Sequence, residues 1–154
     1  MTDNANESGV KRTTISEELG SGKSVMYFTV GTSMKPLLYE RKTHVMIAPF
    51  KGAKKHDIVL YIRDDGTHVL HRCIKVEDGF CITRGDNTYY RERVNNSQII
   101  GTVTHIYRKG KMIDVNRSFS YRLYYLFRYW TYHPRHLVIS VRRALGRFIR
   151  KLKK

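Results

Sequence analysis

Between residues 24 and 115 the apolar runs are too short and too often cut by turn residues to build helices. They read "VMYFTV", "THVMIAPF", "DIVLYIR", "THVLHRCIKV", "GFCITRGD", "IIGTVTHIYR" and "KMIDV". Each is β-branched or alternates apolar with polar, as a half-buried strand does. "RDDGTH" and "VEDGF" carry Asp-Gly, which tight hairpins favour because glycine accepts positive φ. No helical stripe separates the runs, so the expectation is a mainly β fold of coiled antiparallel sheets with hairpins, not alternating βαβ units.

The period changes after residue 117. "SYRLYYLFRYWTY" is aromatic and apolar with Arg122 and Arg128 interspersed, and Pro134 breaks it. Leu137, Val141, Leu145, Phe148, Ile149 and Leu152 then recur at helical spacing, opposite Arg142, Arg143, Arg147, Arg150 and Lys151. The chain thus divides into a polar N-terminal arm (1–23), a β-rich body (24–117) and a C-terminal basic amphipathic helical tail (118–154). Of the net charge of +16, most lies in that tail, which holds ten Lys or Arg and no acid. Such a tail suits an anionic membrane surface, with Trp130, Arg142, Arg143, Leu145, Arg147 and Phe148 as contacts. The competing reading packs the apolar stripe on the body and leaves the arginines solvated. The body shows no nucleic-acid-binding module, so specific nucleic-acid recognition is not expected.

At 154 residues the chain suits one core. The first 24 residues are polar and include Asp3, Glu7, Glu17 and Glu18, unlike a secretory signal. No run of about 18 apolar residues occurs. These features lead us to expect a cytoplasmic protein, peripheral at the inner face of the membrane. "GSGKS" keeps only the Gly-Lys-Ser of a phosphate loop, and no strand precedes it. Cys73 and Cys81 fit no zinc pattern; with a turn centred near residue 77 they would face each other across a hairpin, as free thiols or, less expectedly, a disulfide. His44, His56, His68 and His105 have no metal spacing, so neither metal nor other cofactor is expected. Asp57 reads as a structural acid at a strand start.

The stretch "VGTSMKPLL" places Ser33 between Gly31-Thr32 and Met34-Lys35-Pro36. A serine hydroxyl becomes a useful nucleophile only beside a base, and the base needs an orienting group. His71 lies 38 residues on in "VLHRCI", Asp86 a further 15 on in "TRGDN", and Glu92 six beyond that in "YYRERV". A turn near 77 would pair His71 roughly with Arg84 and bring Asp86 to the same end of the ribbon. Asp86 could equally cap its turn beside Gly85 and Asn87, and Glu92 could pair with its arginine neighbours. Lys35 is too close to Ser33 in sequence to serve as its base and is expected in solvent.

Taken in order, "GTSMKPLL", "DIVLYI", "VLHRCI", "TRGDN" and "IIGTV" resemble the boxes of type I signal peptidases, over roughly residues 27 to 108. The resemblance is closest to the branch of the endoplasmic reticulum, archaea and sporulating bacteria, where histidine replaces a lysine base. It implies a serine endopeptidase acting on the leader or signal segment of another polypeptide. Ser33 would be the nucleophile and His71 the general base, with Thr32, Met34 and Pro36 in the oxyanion and substrate-binding box. Either Asp86 or Glu92 would be the third member. Many bacterial members place a serine two residues before the nucleophile; here Gly31 stands there, leaving the oxyanion to backbone N–H groups aided by Thr32. A histidine base implies activity that falls below about pH 6.5. The alternatives are an inactive peptidase fold that binds peptide or membrane, and a self-cleaving repressor. The second would need a DNA-binding domain before Ser33, where no helix-turn-helix pattern exists.

Overall fold

A computed structural model describes residues 14–132 together with Pro134, Leu137 and Val141. Strands β1 (Val25–Phe28), β2 (Thr43–Pro49), β3 (Ile58–Ile62), β4 (His68–Glu77), β5 (Phe80–Arg84), β6 (Glu92–Asn95), β7 (Ile99–Arg108) and β8 (Lys111–Asp114) form one antiparallel sheet. Its order is β1-β2-β7-β3-β4-β5-β6, with β8 on β7. Seven of the strands fall on the seven runs read from the sequence. The eighth, β6, is only "ERVN" and too polar to stand out.

Strand β3 explains how the sheet makes two cores. Ile58 and Leu60 join one cluster with Leu38, Val45, Ile47, Val103 and Ile106. Val59 and Tyr61, on the other face, join Cys73, Cys81, Val94 and Ile99. Successive strand residues point to opposite faces, so an unbroken apolar run such as "IVLYI" marks a strand covered on both sides.

The two Asp-Gly turns hold as expected. Arg63 N–H donates to Thr67 O across the β3–β4 turn at 3.0 Å, and Glu77 pairs with Phe80 across Asp78-Gly79. The β4–β5 register, however, is not the one expected. The turn is centred between Asp78 and Gly79, beyond residue 77, and a bulge at Ile74 sets Cys73 opposite Thr83 and Cys81 opposite Val76. Both cysteines are free and buried.

Helix α1 (Ile15–Gly20) occupies part of what reads as a polar arm. Thr14 and Glu17 close a capping box, and Leu19, 2 % exposed, enters the first core. Helix α2 (Phe119–Trp130) starts at the predicted change of period, capped by Ser118 Oγ on Tyr121 N–H. Among the described residues no helix is long and apolar enough to cross a membrane.

Candidate active site

Ser33 lies in the turn joining β1 to β2. Gly31 opens that turn at φ 86°, a conformation that suits glycine. Met34, Leu37 and Leu38 anchor the turn in the core, and Leu37 and Leu38 N–H groups donate to Met34 O. The loop after β5 holds the other side. Asn87 N–H donates to Ser33 O at 2.7 Å, Asn87 Nδ2 to Thr32 O at 3.3 Å, and Asp86 N–H meets Met34 Sδ at 3.5 Å. With the carbonyls of Thr32 and Ser33 held there, the planar trans peptides turn the N–H groups of Ser33 and Met34 away from that loop.

His71 is 1 % exposed on β4, opposite Val59 of β3. Tyr61 opposes Val69, which makes it a diagonal neighbour of His71 on the same face. Its hydroxyl lies 3.2 Å from His71 Nδ1 and donates to Glu92 Oε2 at 3.0 Å. With that hydrogen used, the Tyr61 oxygen accepts the Nδ1 proton, and Nε2 keeps its lone pair. Glu92 Oε1 also lies 3.5 Å from Nδ1. Arg63 grips the same carboxylate with two bonds, of 2.8 and 2.7 Å.

Gly85 ties the two halves together. A Cβ there would stand 2.6 Å from Ser33 O and 3.1 Å from His71 Nε2, so only a missing side chain lets these groups approach. Ser33 and His71 line one cavity of about 240 Å³, with Tyr27, Met34, Arg63 and Tyr90 among its walls. No hydrogen bond joins Ser33 Oγ to His71 among the described residues; such bonds commonly close only around substrate.

The two acidic candidates separate. Glu92 stands beside the imidazole; Asp86 does not touch it. Asp86 accepts two bonds of 2.8 Å from Arg72 and one of 3.0 Å from Tyr124. His71 and Arg72 are consecutive on β4 and point to opposite sides, so their carboxylate partners must as well. Thr32 is exposed and contributes its carbonyl to the turn; Pro36 is exposed and its carbonyl takes Arg108 Nη1. Neither lines the cavity, whereas Met34 does. Trp130 is exposed at the end of α2; Arg142, Arg143, Leu145, Arg147 and Phe148 lie outside the described residues. His44 packs tilted against Phe28 and His56 stacks on Tyr125, and no metal-binding cluster occurs among the described residues. Sequence reading missed Tyr61 and Arg63. Counting the β3–β4 register back from the Asp-Gly turn would have found Tyr61.

Electrostatics follow burial. Desolvation pushes the His71 imidazole down to about 4, against the pull of Glu92, so it is neutral at pH 7. Burial pushes the Glu92 carboxyl up, but the Arg63 and Tyr61 bonds outweigh it and hold Glu92 below the ordinary range. No family model, curated protein or solved structure matches the chain.

Gly85→Ala should push the Ser33 carbonyl and the His71 ring away from residue 85. The expected result is a folded protein with a cavity changed at Ser33, seen as amide shifts at residues 32–34 and 71 in an NMR spectrum. An unperturbed spectrum at those positions would contradict the close approach.

Proposed function

We propose that the protein is a serine endopeptidase of the type I signal-peptidase kind, cleaving a leader or signal segment of another polypeptide. One observation carries this reading: a turn serine and a buried neutral histidine line one cavity, and the far ring nitrogen faces Tyr61 and Glu92. His71 Nε2 would take the Ser33 proton as Oγ adds to the scissile carbonyl. The N–H groups of Ser33 and Met34 would hold the oxyanion, and the imidazolium would return its proton to the leaving amine. Water, activated by the same nitrogen, would then release the acyl group. Glu92 is the third member in this reading, through Tyr61 and directly; Asp86 has a supporting role.

The second reading, a peptidase fold that holds peptide without cutting, is favoured by the open Ser33–His71 contact. One experiment separates the two. Wild type, Ser33→Ala and His71→Ala are co-expressed with a candidate precursor, and products are read by mass. Cleavage by wild type alone supports the enzyme; equal products from all three exclude it.

The pH profile differs from that of an ordinary histidine. Only the neutral ring is a base, and its proton affinity is low, so kcat/KM should hold from pH 7 down and fall with a midpoint near 4. A midpoint at about 6.5 would show that burial does not govern His71.

We also propose that the tail side of the protein rests on an anionic membrane. Phe119 (77 % exposed), Leu123, Phe127 and Trp130 (78 % exposed) face outward from α2, and residues 118–154 carry only basic charges. Leu123→Ser with Phe127→Ser should reduce co-sedimentation with phosphatidylserine vesicles several-fold, and 0.5 M salt should weaken it further. Binding that neither change affects would remove this surface.

A further inference from the structure

Helix α2 docks by the wrong face for an ordinary amphipathic helix. Its apolar side chains Phe119, Leu123, Leu126 and Phe127 are exposed. The face turned to the body repeats Tyr121, Tyr124, Tyr125 and Arg128, positions spaced for one side of a helix. The tips of Tyr124 and Arg128 reach the loop that brackets Ser33, Tyr121 reaches Arg72 beside it, and Tyr125 stacks on His56.

The contacts form a short chain. Tyr121 Oη accepts from Arg72 Nη1 at 2.6 Å. Arg72 in turn grips both oxygens of Asp86. Tyr124 Oη donates to Asp86 Oδ2 at 3.0 Å. Arg128 Nη2 donates to the Asp86 carbonyl, and it reaches Lys35 O at 3.5 Å on the Ser33 turn itself. Tyr132, just past the helix, donates to Tyr89 O at 3.1 Å. Side chain and main chain of Asp86 are thus held from the helix. The residue after Asp86 carries the N–H that fixes Ser33 O.

We propose that Tyr124 and Arg128 are positioning residues of the Ser33 site: they hold the 85–87 loop and, through Asn87, set where the nucleophile stands. This rests on the peptidase reading for its kinetic consequence but not for its structural one. It makes α2 a working part of a site whose sequence boxes end well before it. A small displacement of a nucleophile costs a rate factor out of proportion to its size, because attack geometry is narrow.

The test uses the full chain with Tyr124→Phe, Arg128→Gln and Arg128→Lys, and Arg122→Gln on the exposed side as control. Tyr124→Phe and Arg128→Gln should lower kcat by about 10- to 100-fold with KM and the acid limb of the pH profile in place. Amide exchange over residues 31–35 should quicken in the same two variants. Arg128→Lys, which keeps the charge, should recover part of both effects, and Arg122→Gln should match wild type. Native kcat and native exchange at 31–35 in both variants would overturn the proposal. Exchange that rises equally across β2, β3 and β7 in all three variants would also overturn it, since that is global destabilisation. If wild type cleaves nothing, the peptidase reading fails and the exchange at 31–35 alone decides the positioning claim.

Discussion

The buried pair of Arg72 and Asp86 is the interaction on which the arrangement depends. Side chains of both are about 5 % exposed, and withdrawing two such charges from water costs several kcal/mol each. The geometry offsets this by leaving little unsatisfied. Arg72 makes two bonds to the carboxylate, one to His56 O and one to Tyr121 Oη, while Asp86 adds Tyr124. Burial works to raise the Asp86 carboxyl, and Arg72 overrides it, keeping the group ionised and below its usual range. Removing either partner would leave a lone buried charge, a loss of about 3–5 kcal/mol. Strand β4, the 85–87 loop and α2 all meet at this pair.

Alternation along β4 then organises the rest. Arg72 looks toward Asp86 and α2; His71, its neighbour, looks toward Tyr61 and Glu92. Each carboxylate has its own guanidinium, Arg63 for Glu92 and Arg72 for Asp86. One acid is left beside the imidazole and the other holds the backbone that carries Ser33. The strand therefore separates orientation of the imidazole from placement of the hydroxyl, and Gly85 is where the two meet.

The sheet was legible because its strands are locally patterned. Seven runs of "VMYFTV" type and two Asp-Gly turns suffice to call antiparallel β. β6 was not, since Val94 is its one apolar residue among three polar ones, and so short a run gains strand form only by pairing with β5. The choice between Asp86 and Glu92 was also closed to spacing. It turns on strand alternation and on the bulge at Ile74, neither of which the interval between residues records. Thr14-x-x-Glu17 is a readable capping signal, yet the polar composition around it concealed that Leu19 belongs to the core. For α2 the period was visible but the docked face was not: hydrophobicity alone would turn Leu123 and Phe127 inward, and the buried charges of Arg72 and Asp86 select the tyrosine and Arg128 side instead.

An imidazole kept uncharged in the interior also links folding to proton uptake. In the unfolded chain His71 would bind a proton near pH 6.5, and in the folded protein only near 4. Its contribution is therefore whole above about pH 6.5 and drains away as acidity increases toward 4, amounting to about 3 kcal/mol across that interval. Mild acid thus lowers the folding free energy before it protonates the ring in place, so the same burial that keeps the imidazole uncharged at neutral pH narrows the acid range in which the molecule endures.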